Sequence, residues 1–186
     1  SNEYIVVGAH YDHLGWGGET SSSLDPDVHA IHNGADDNGS GTAAILELAE
    51  YFSYTENKNR RGLIFTAFGG EEEGLLGSSK FVENPPVKLE NICAMLNLDM
   101  VGRMEENKLV VGGTGTSLLW NELLHKLNSD SLQLSFDEEG YGSSDHQSFY
   151  INNIPVIFFF TGAHKDYHRP SDDIDKINFL GLKKIT

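Results

Sequence analysis

Residues 62–74 read GLIFTAFGGEEEG. The segment LIFTAF is short, rich in aromatic and β-branched residues and closed by a glycine pair, which is the pattern of a buried β-strand. Three consecutive glutamates follow at once. Like charges side by side repel, and a carboxylate next to a core is costly unless a cation or strong donors compensate it. The carboxyl end of this strand therefore demands positive charge.

Four other stretches share its character: YIVVGA (4–9), ICAMLNL (92–98), LVV (109–111) and VIFFF (156–160), each bounded by Gly, Asn, Asp or Pro. Between them, Ile45, Leu48, Ala49 and Phe52 recur at i, i+3, i+4 and i+7, as do Trp120, Leu123, Leu124 and Leu127; this spacing predicts two amphipathic helices. Ile174, Ile177 and Leu180, behind the acidic PSDDID, predict a last helix running to Thr186. Strands alternating with helices make an α/β domain with a largely parallel sheet, whose ligands bind beyond the carboxyl ends of the strands. His10 and Asp12 follow the first strand, Glu71 to Glu73 the second and Asp99 the third, and His168 lies beyond VIFFF. Asp36 and Asp37, in NGADDNGSG, precede a helix starting near Gly41. All these polar residues converge on one edge of the sheet. Residues 15–33 read as a long surface loop on the rim of that edge, and no internal repeat is present.

Composition narrows the chemistry. A chain of 186 residues is long enough for one domain that buries roughly 70% of the surface its unfolded form exposes. Its formal charge of −15, from 28 acidic and 13 basic residues, argues against a nucleic-acid or anionic-membrane surface, both of which need clustered Lys and Arg. No apolar run is long enough to span a bilayer, and no signal peptide opens the chain. The sole cysteine, Cys93, excludes an internal disulfide and a thiolate zinc site, and its apolar surroundings predict core packing.

Singly, each polar residue has an ordinary explanation: an Asp before a helix is an N-cap, a glutamate run is a solvated face, a lone His is a surface residue. Jointly they fit a different pattern. Carboxylates and imidazoles without thiolate suit zinc, manganese or cobalt, and two His with several Asp and Glu at one edge suit a two-metal hydrolase.

GAHYDH, NGADDNGSG, FGGEEEGLLGS, LNLDM, SDHQSF and YHRPSDD stand in the order and approximate spacing of the zinc exopeptidases of metallopeptidase family twenty-eight, which the chain resembles from Gly8 to Asp173. That resemblance implies a three-layer α/β/α fold with a mostly parallel central sheet and two divalent metal ions, zinc, lying about 3.5–4 Å apart. His10 and Asp99 would hold the first ion, Glu72 and His168 the second, and Asp37 would bridge them; in the family the peptide after this last residue is often cis. Asp12 would orient the His10 ring. Glu71 would be the general base, and Tyr141 or Tyr167 the phenol that stabilises the oxyanion, with Tyr141 slightly preferred. Asp145 and His146 would support the site, and Asp172 would orient a ligand or cap the last helix. His13, His29 and His32 are as readily solvent-exposed as in contact with substrate, and His125 and His164 receive no role.

The function so implied is hydrolysis of N-terminal residues from a peptide substrate with a free N-terminus, outside the cytoplasm. The acidic composition suits a substrate ammonium group, whereas a carboxypeptidase needs an arginine for the terminal carboxylate, and only Arg103 and Arg169 lie near the site in sequence. Glutaminyl cyclases share this fold with one metal, and the transferrin receptor carries a non-catalytic relative. Met100, Tyr141, Phe158 and Phe160 either line a pocket for the first substrate residue or, for the two phenylalanines, belong to the core. Strand residues follow Ser1 and Asn2 at once, so residues 1–186 read as a single peptidase domain cut at its start and trimmed at its end.

Overall fold

The computed structural model describes residues 2–54, 60–129 and 132–186; Ser1, on which the expectation of a cut start partly rests, lies outside them. Within the described residues, six strands form one sheet: β1 (Tyr4–His10), β2 (Gly62–Phe68), β3 (Ile92–Leu98), β4 (Lys108–Gly112), β5 (Gln133–Phe136) and β6 (Val156–Phe160). Their order is β2-β1-β3-β6-β4-β5, and every neighbouring pair is parallel except β4 with β6. The five apolar stretches are all strands. β5 escapes a search for continuous apolar runs because QLSF alternates, with Gln133 and Ser135 exposed and Leu134 and Phe136 turned inward.

Among the described residues, five α-helices accompany the sheet: α1 (Gly41–Tyr54), α2 (Leu76–Glu83), α3 (Trp120–Leu127), α4 (His146–Tyr150) and α5 (Phe179–Ile185). Alternation along the strands splits the core into two layers. Val7 and Ala9 of β1 pack with Ala44 and Ile45 of α1 and with Leu182 and Ile185 of α5. On the opposite face, Val6 and Met95 pack with Phe149 of α4 and Phe81 of α2. Phe149 is fully buried between Phe68 and Phe81, at ring separations of 6.0 and 5.4 Å; burying such a ring contributes roughly 1.5–3 kcal/mol.

Two helical expectations need correction. Of the four stripe residues of α3, Trp120 and Leu124 pack on the sheet, against Leu109 and Val111, while Leu123 and Leu127 are exposed. Ile174 lies in a separate 3-10 turn, Ile174–Lys176, and α5 starts only at Phe179, where the Asn178 side chain accepts the Gly181 N–H at 2.9 Å. Residues 15–33 hold no strand or helix, and Cys93 is half-buried near the start of β3.

Candidate metal centre

Five segments bring their polar residues to the carboxyl edge of the sheet. His10 is the last residue of β1, and Asp99 follows the last residue of β3. Beyond β2, Gly70 adopts φ 71° and turns the chain so that Glu71 and Glu72 point inward while Glu73 stays exposed. Asp37 sits in the turn ahead of α1, with a cis peptide joining it to Asn38, and His168 lies in the loop after β6. Met100 and His168 hold left-handed backbone, at φ 51° and 52°, a conformation costing about 1–2 kcal/mol that is met at functional sites.

The side chains form two sets joined at Asp37. His10 Nε2 lies 3.3 Å from Asp37 Oδ1 and 3.4 Å from Asp99 Oδ1. His168 Nε2 lies 3.3 Å from Asp37 Oδ2 and 3.2 Å from Glu72 Oε2. Zinc bonds of 2.0–2.1 Å in a tetrahedral shell put neighbouring ligand atoms about 3.3–3.4 Å apart. The two sets thus have the edge lengths of tetrahedral coordination, and one Asp37 oxygen faces each. Asp37 Oδ2 and Asp99 Oδ1 are buried without a hydrogen-bond partner among the described residues, as free ligand atoms would be. The donor set fits divalent metal.

Electrostatics gives the same answer. Burial alone would lower the His10 pKa, but the adjoining carboxylates of Asp37 and Asp99, with the charge of Glu71, push it up to about 12. At His168, burial is likewise outweighed by Asp37 and Glu72, and the pKa reaches about 10. Burial opposes ionisation of Asp37 and Glu72, yet the imidazoles hold both below the usual carboxylate range. Glu71 behaves differently: burial raises its pKa, the His10 charge opposes, and Asp99, Asp145 and Glu72 add to the rise, giving about 8. Bound dications would favour ionised Glu71 and neutral imidazoles, so metal uptake expels protons and replaces them as the compensating charge. Zinc at 100 times its dissociation constant should stabilise the chain by about 2.7 kcal/mol per site. For a chain of this size that corresponds to a rise of roughly 5–11 °C in thermal midpoint per site. A zinc titration of chelator-treated protein, followed by differential scanning fluorimetry, checks this; an unchanged midpoint would contradict it.

Surrounding groups fix the orientation of the ligands. His10 Nδ1 contacts the Asp12 main-chain carbonyl oxygen at 3.1 Å, and His168 Nδ1 contacts that of Ser22 at 2.9 Å; donating there leaves each Nε2 free to ligate. Asp12 meets the His10 ring through its main-chain oxygen rather than by a hydrogen bond to its carboxylate. Its carboxylate stands 3.9 Å from the His10 ring and instead accepts the N–H groups of Glu71 and Glu72, at 3.1 and 3.3 Å, holding the glutamate turn. Asp172 does not cap the last helix, which Asn178 does: its Oδ2 accepts the N–H groups of Asp36 and Asp37, at 2.8 and 3.0 Å, while its Oδ1 takes Arg103 at 2.9 Å. Ser144 donates to Asp99 Oδ2 at 2.7 Å, leaving Oδ1 toward His10.

The tyrosines separate. Tyr167 is half-buried, stacks on His168 with ring centroids 3.8 Å apart and lines the cleft. Tyr141 is 62% exposed, packs edge-on against Tyr150 and lines a different surface hollow. Met100, Phe158 and Phe160 also line the cleft, of about 280 Å³, and Phe158 is sandwiched between Phe160 and His146. Burial lowers the His146 pKa to about 4 and raises that of Asp145 to about 6.

Four other histidines fall outside this set. His29 stacks on Trp16, the buried His32 meets Ser23 Oγ at 2.7 Å, His125 lies against Phe136, and His164 meets Asp36 at 3.1 Å. His13 is different, with its Nδ1 2.7 Å from Glu72 Oε1. Its place three residues after His10 was the only signal in the sequence. The rim loop closes over this side through the Leu24 N–H, which donates to the His168 carbonyl, and the Arg169–Asp25 ion pair.

The sequence profile of peptidase family M28 matches residues 1–186. The chain belongs to that family. Among M28-like relatives, aminopeptidase YwaD of Bacillus subtilis (strain 168) is 35% identical over 191 residues, covering 95% of this chain and 37% of its own length. The crystal structure of BSAP, a zinc aminopeptidase from Bacillus subtilis, matches with a TM-score of 0.78 at 30% identity, over 98% of this chain and 43% of that one. Glutaminyl cyclase of Bacteroides thetaiotaomicron bound to N-acetylhistamine matches with a TM-score of 0.78 at 21% identity, over 100% of this chain and 70% of that one, a likeness of fold alone. This M28 chain thus spans less than half the length of the first two, and its three-layer sheet is the α/β fold of the family's zinc aminopeptidases.

Proposed function

We propose that this chain carries the catalytic centre of a zinc-dependent aminopeptidase working with two metal ions. The observation that carries the reading is the pair of ligand sets joined at Asp37, at 3.2–3.4 Å between ligand atoms. His10, Asp37 and Asp99 would hold one ion and Asp37, Glu72 and His168 the other, and bound there the ions would supply Lewis acidity toward the attacking water and the scissile carbonyl. Glu71 accepts the proton of the water and returns it to the leaving amine. Tyr167, rather than Tyr141, donates to the oxyanion. Asp12 keeps Glu71 and Glu72 in register, and Asp172 does the same for Asp37.

The choice of the amino end is supported by the arginines. Arg103 is taken by Asp166 and Asp172, and Arg169 by Asp25, so neither is available to grip a terminal carboxylate. Met100, Phe158 and Phe160 would receive the first side chain of the substrate. An apolar wall discriminates by about 1–3 kcal/mol per buried methylene, so leucyl- and phenylalanyl-nitroanilides should exceed glycyl-nitroanilide in kcat/KM by at least about 10-fold. N-acetyl-leucyl-nitroanilide should not be turned over. A preference for aspartyl or glycyl substrates removes the apolar wall, and conversion of N-terminal glutaminyl peptides to cyclised product without chain cleavage replaces the peptidase by a cyclase.

A further inference from the structure

We propose that His13 is a positioning residue that restricts Glu72 to one metal-facing oxygen; the proposal rests on the metal-centre reading above. Glu72 uses its two oxygens differently. Oε2 stands 3.2 Å from His168 Nε2, within the second ligand set, whereas Oε1 stands 2.7 Å from His13 Nδ1. Ionised Glu72 has no hydrogen to give, so Nδ1 is the donor. A separation of 2.7 Å is that of a charge-assisted hydrogen bond and is shorter than the about 3.3–3.4 Å between two ligands of one tetrahedral ion. His13 also stands 3.8 Å from Asp37 Oδ2, so His13, Asp37 and Glu72 make a metal-sized triad by proximity alone. The short contact distinguishes orienting from ligating.

The surroundings hold the ring in this one role. The His13 side chain is 9% accessible, and its Nε2 is buried with no hydrogen-bond partner among the described residues. The His168 ring meets it edge-on at 5.8 Å. A side chain at Gly34 would come within 2.7 Å of it, so the left-handed glycine there, at φ 59°, keeps the space open. The first ligand set has a counterpart: Asp99 is tied through Oδ2 by Ser144 and presents Oδ1. Each outer carboxylate is thus anchored by one oxygen, which would leave each ion a coordination position that a two-oxygen grip would take.

Calorimetric zinc titration and the visible absorption of the cobalt-substituted whole protein, for wild type, His13→Ala, His13→Gln and Glu72→Gln, test this. His13→Ala should weaken one of two metal positions about 10–100-fold, the range for losing an outer hydrogen-bond partner, and leave the other unchanged. The cobalt bands of the affected position should lose intensity as Glu72 binds through both oxygens and coordination number rises. His13→Gln, whose amide can donate to Oε1, should recover part of both. Unchanged affinities and bands in His13→Ala overturn the proposal, as does complete loss of one position matching Glu72→Gln, which would make His13 a ligand. A wild-type protein that takes up no metal overturns the metal-centre reading itself; the other two negative outcomes leave that reading standing.

Discussion

Glu71→Gln should retain the metal affinity of the centre and lose roughly 10²- to 10⁴-fold in kcat, the usual range for one general base. Glutamine keeps the shape of the side chain and the main-chain N–H that Asp12 holds at 3.1 Å, so the glutamate turn stays in place. What goes is the capacity to take a proton. Glu71 is the member of the triplet proposed for proton transfer, because its carboxyl faces the cleft and takes no part in either ligand set. Glu72 is held by His13 and His168, and Glu73 is exposed. The control is Glu72→Gln, which should lose metal together with activity. Metal content by emission spectrometry beside steady-state rates separates the two, and a fully active Glu71→Gln would move the base to another member of the triplet.

Asp37→Ala should do more damage, because one side chain serves both ligand sets. Its Oδ1 stands 3.3 Å from His10 and its Oδ2 3.3 Å from His168, so on the proposed assignment its removal would leave each ion two protein groups instead of three. Bound zinc should fall from two equivalents to one or none after dialysis, and turnover should drop at least as far as in Glu71→Gln. The zinc-induced rise in thermal midpoint should shrink with it. Retention of two tight equivalents would rule out the bridging role. Its neighbour offers an internal contrast: the Asp36 carboxylate accepts the Gly102 N–H at 2.6 Å and meets His164 at 3.1 Å, so losing it should disturb the turn without removing a ligand.

The strands were legible because five of the six are continuous apolar runs flanked by breakers. β5 was not, since its edge position lets Gln133 and Ser135 face outward. α2 begins LGSS, which lacks the helical period, and half the apolar stripe of α3 stays exposed because the edge of the sheet offers it too little surface. The proposed ligand residues could be assembled from sequence because parallel strands deliver their carboxyl ends to one edge. Supporting contacts could not. His13 meets Glu72 across 59 residues and Asp172 meets Asp37 across 135, and no local pattern encodes such a pairing. Tyr141 and Tyr167 read alike in sequence and part only in three dimensions, where one packs outward on Tyr150 and the other on His168.

The Asp172 clamp also sets an order of events during synthesis. Asp37 is made early, but the carboxylate that holds its N–H, and that of its neighbour, arrives 135 and 136 residues later, together with His168. Closing so long a segment carries an entropic cost that only the formed sheet can offset. A nascent chain emerging from the ribosome therefore carries His10, Asp37, Glu72 and Asp99 well before it carries the residues that finish the cage. Assembly of the proposed metal centre is deferred until residues 168–172 have been made.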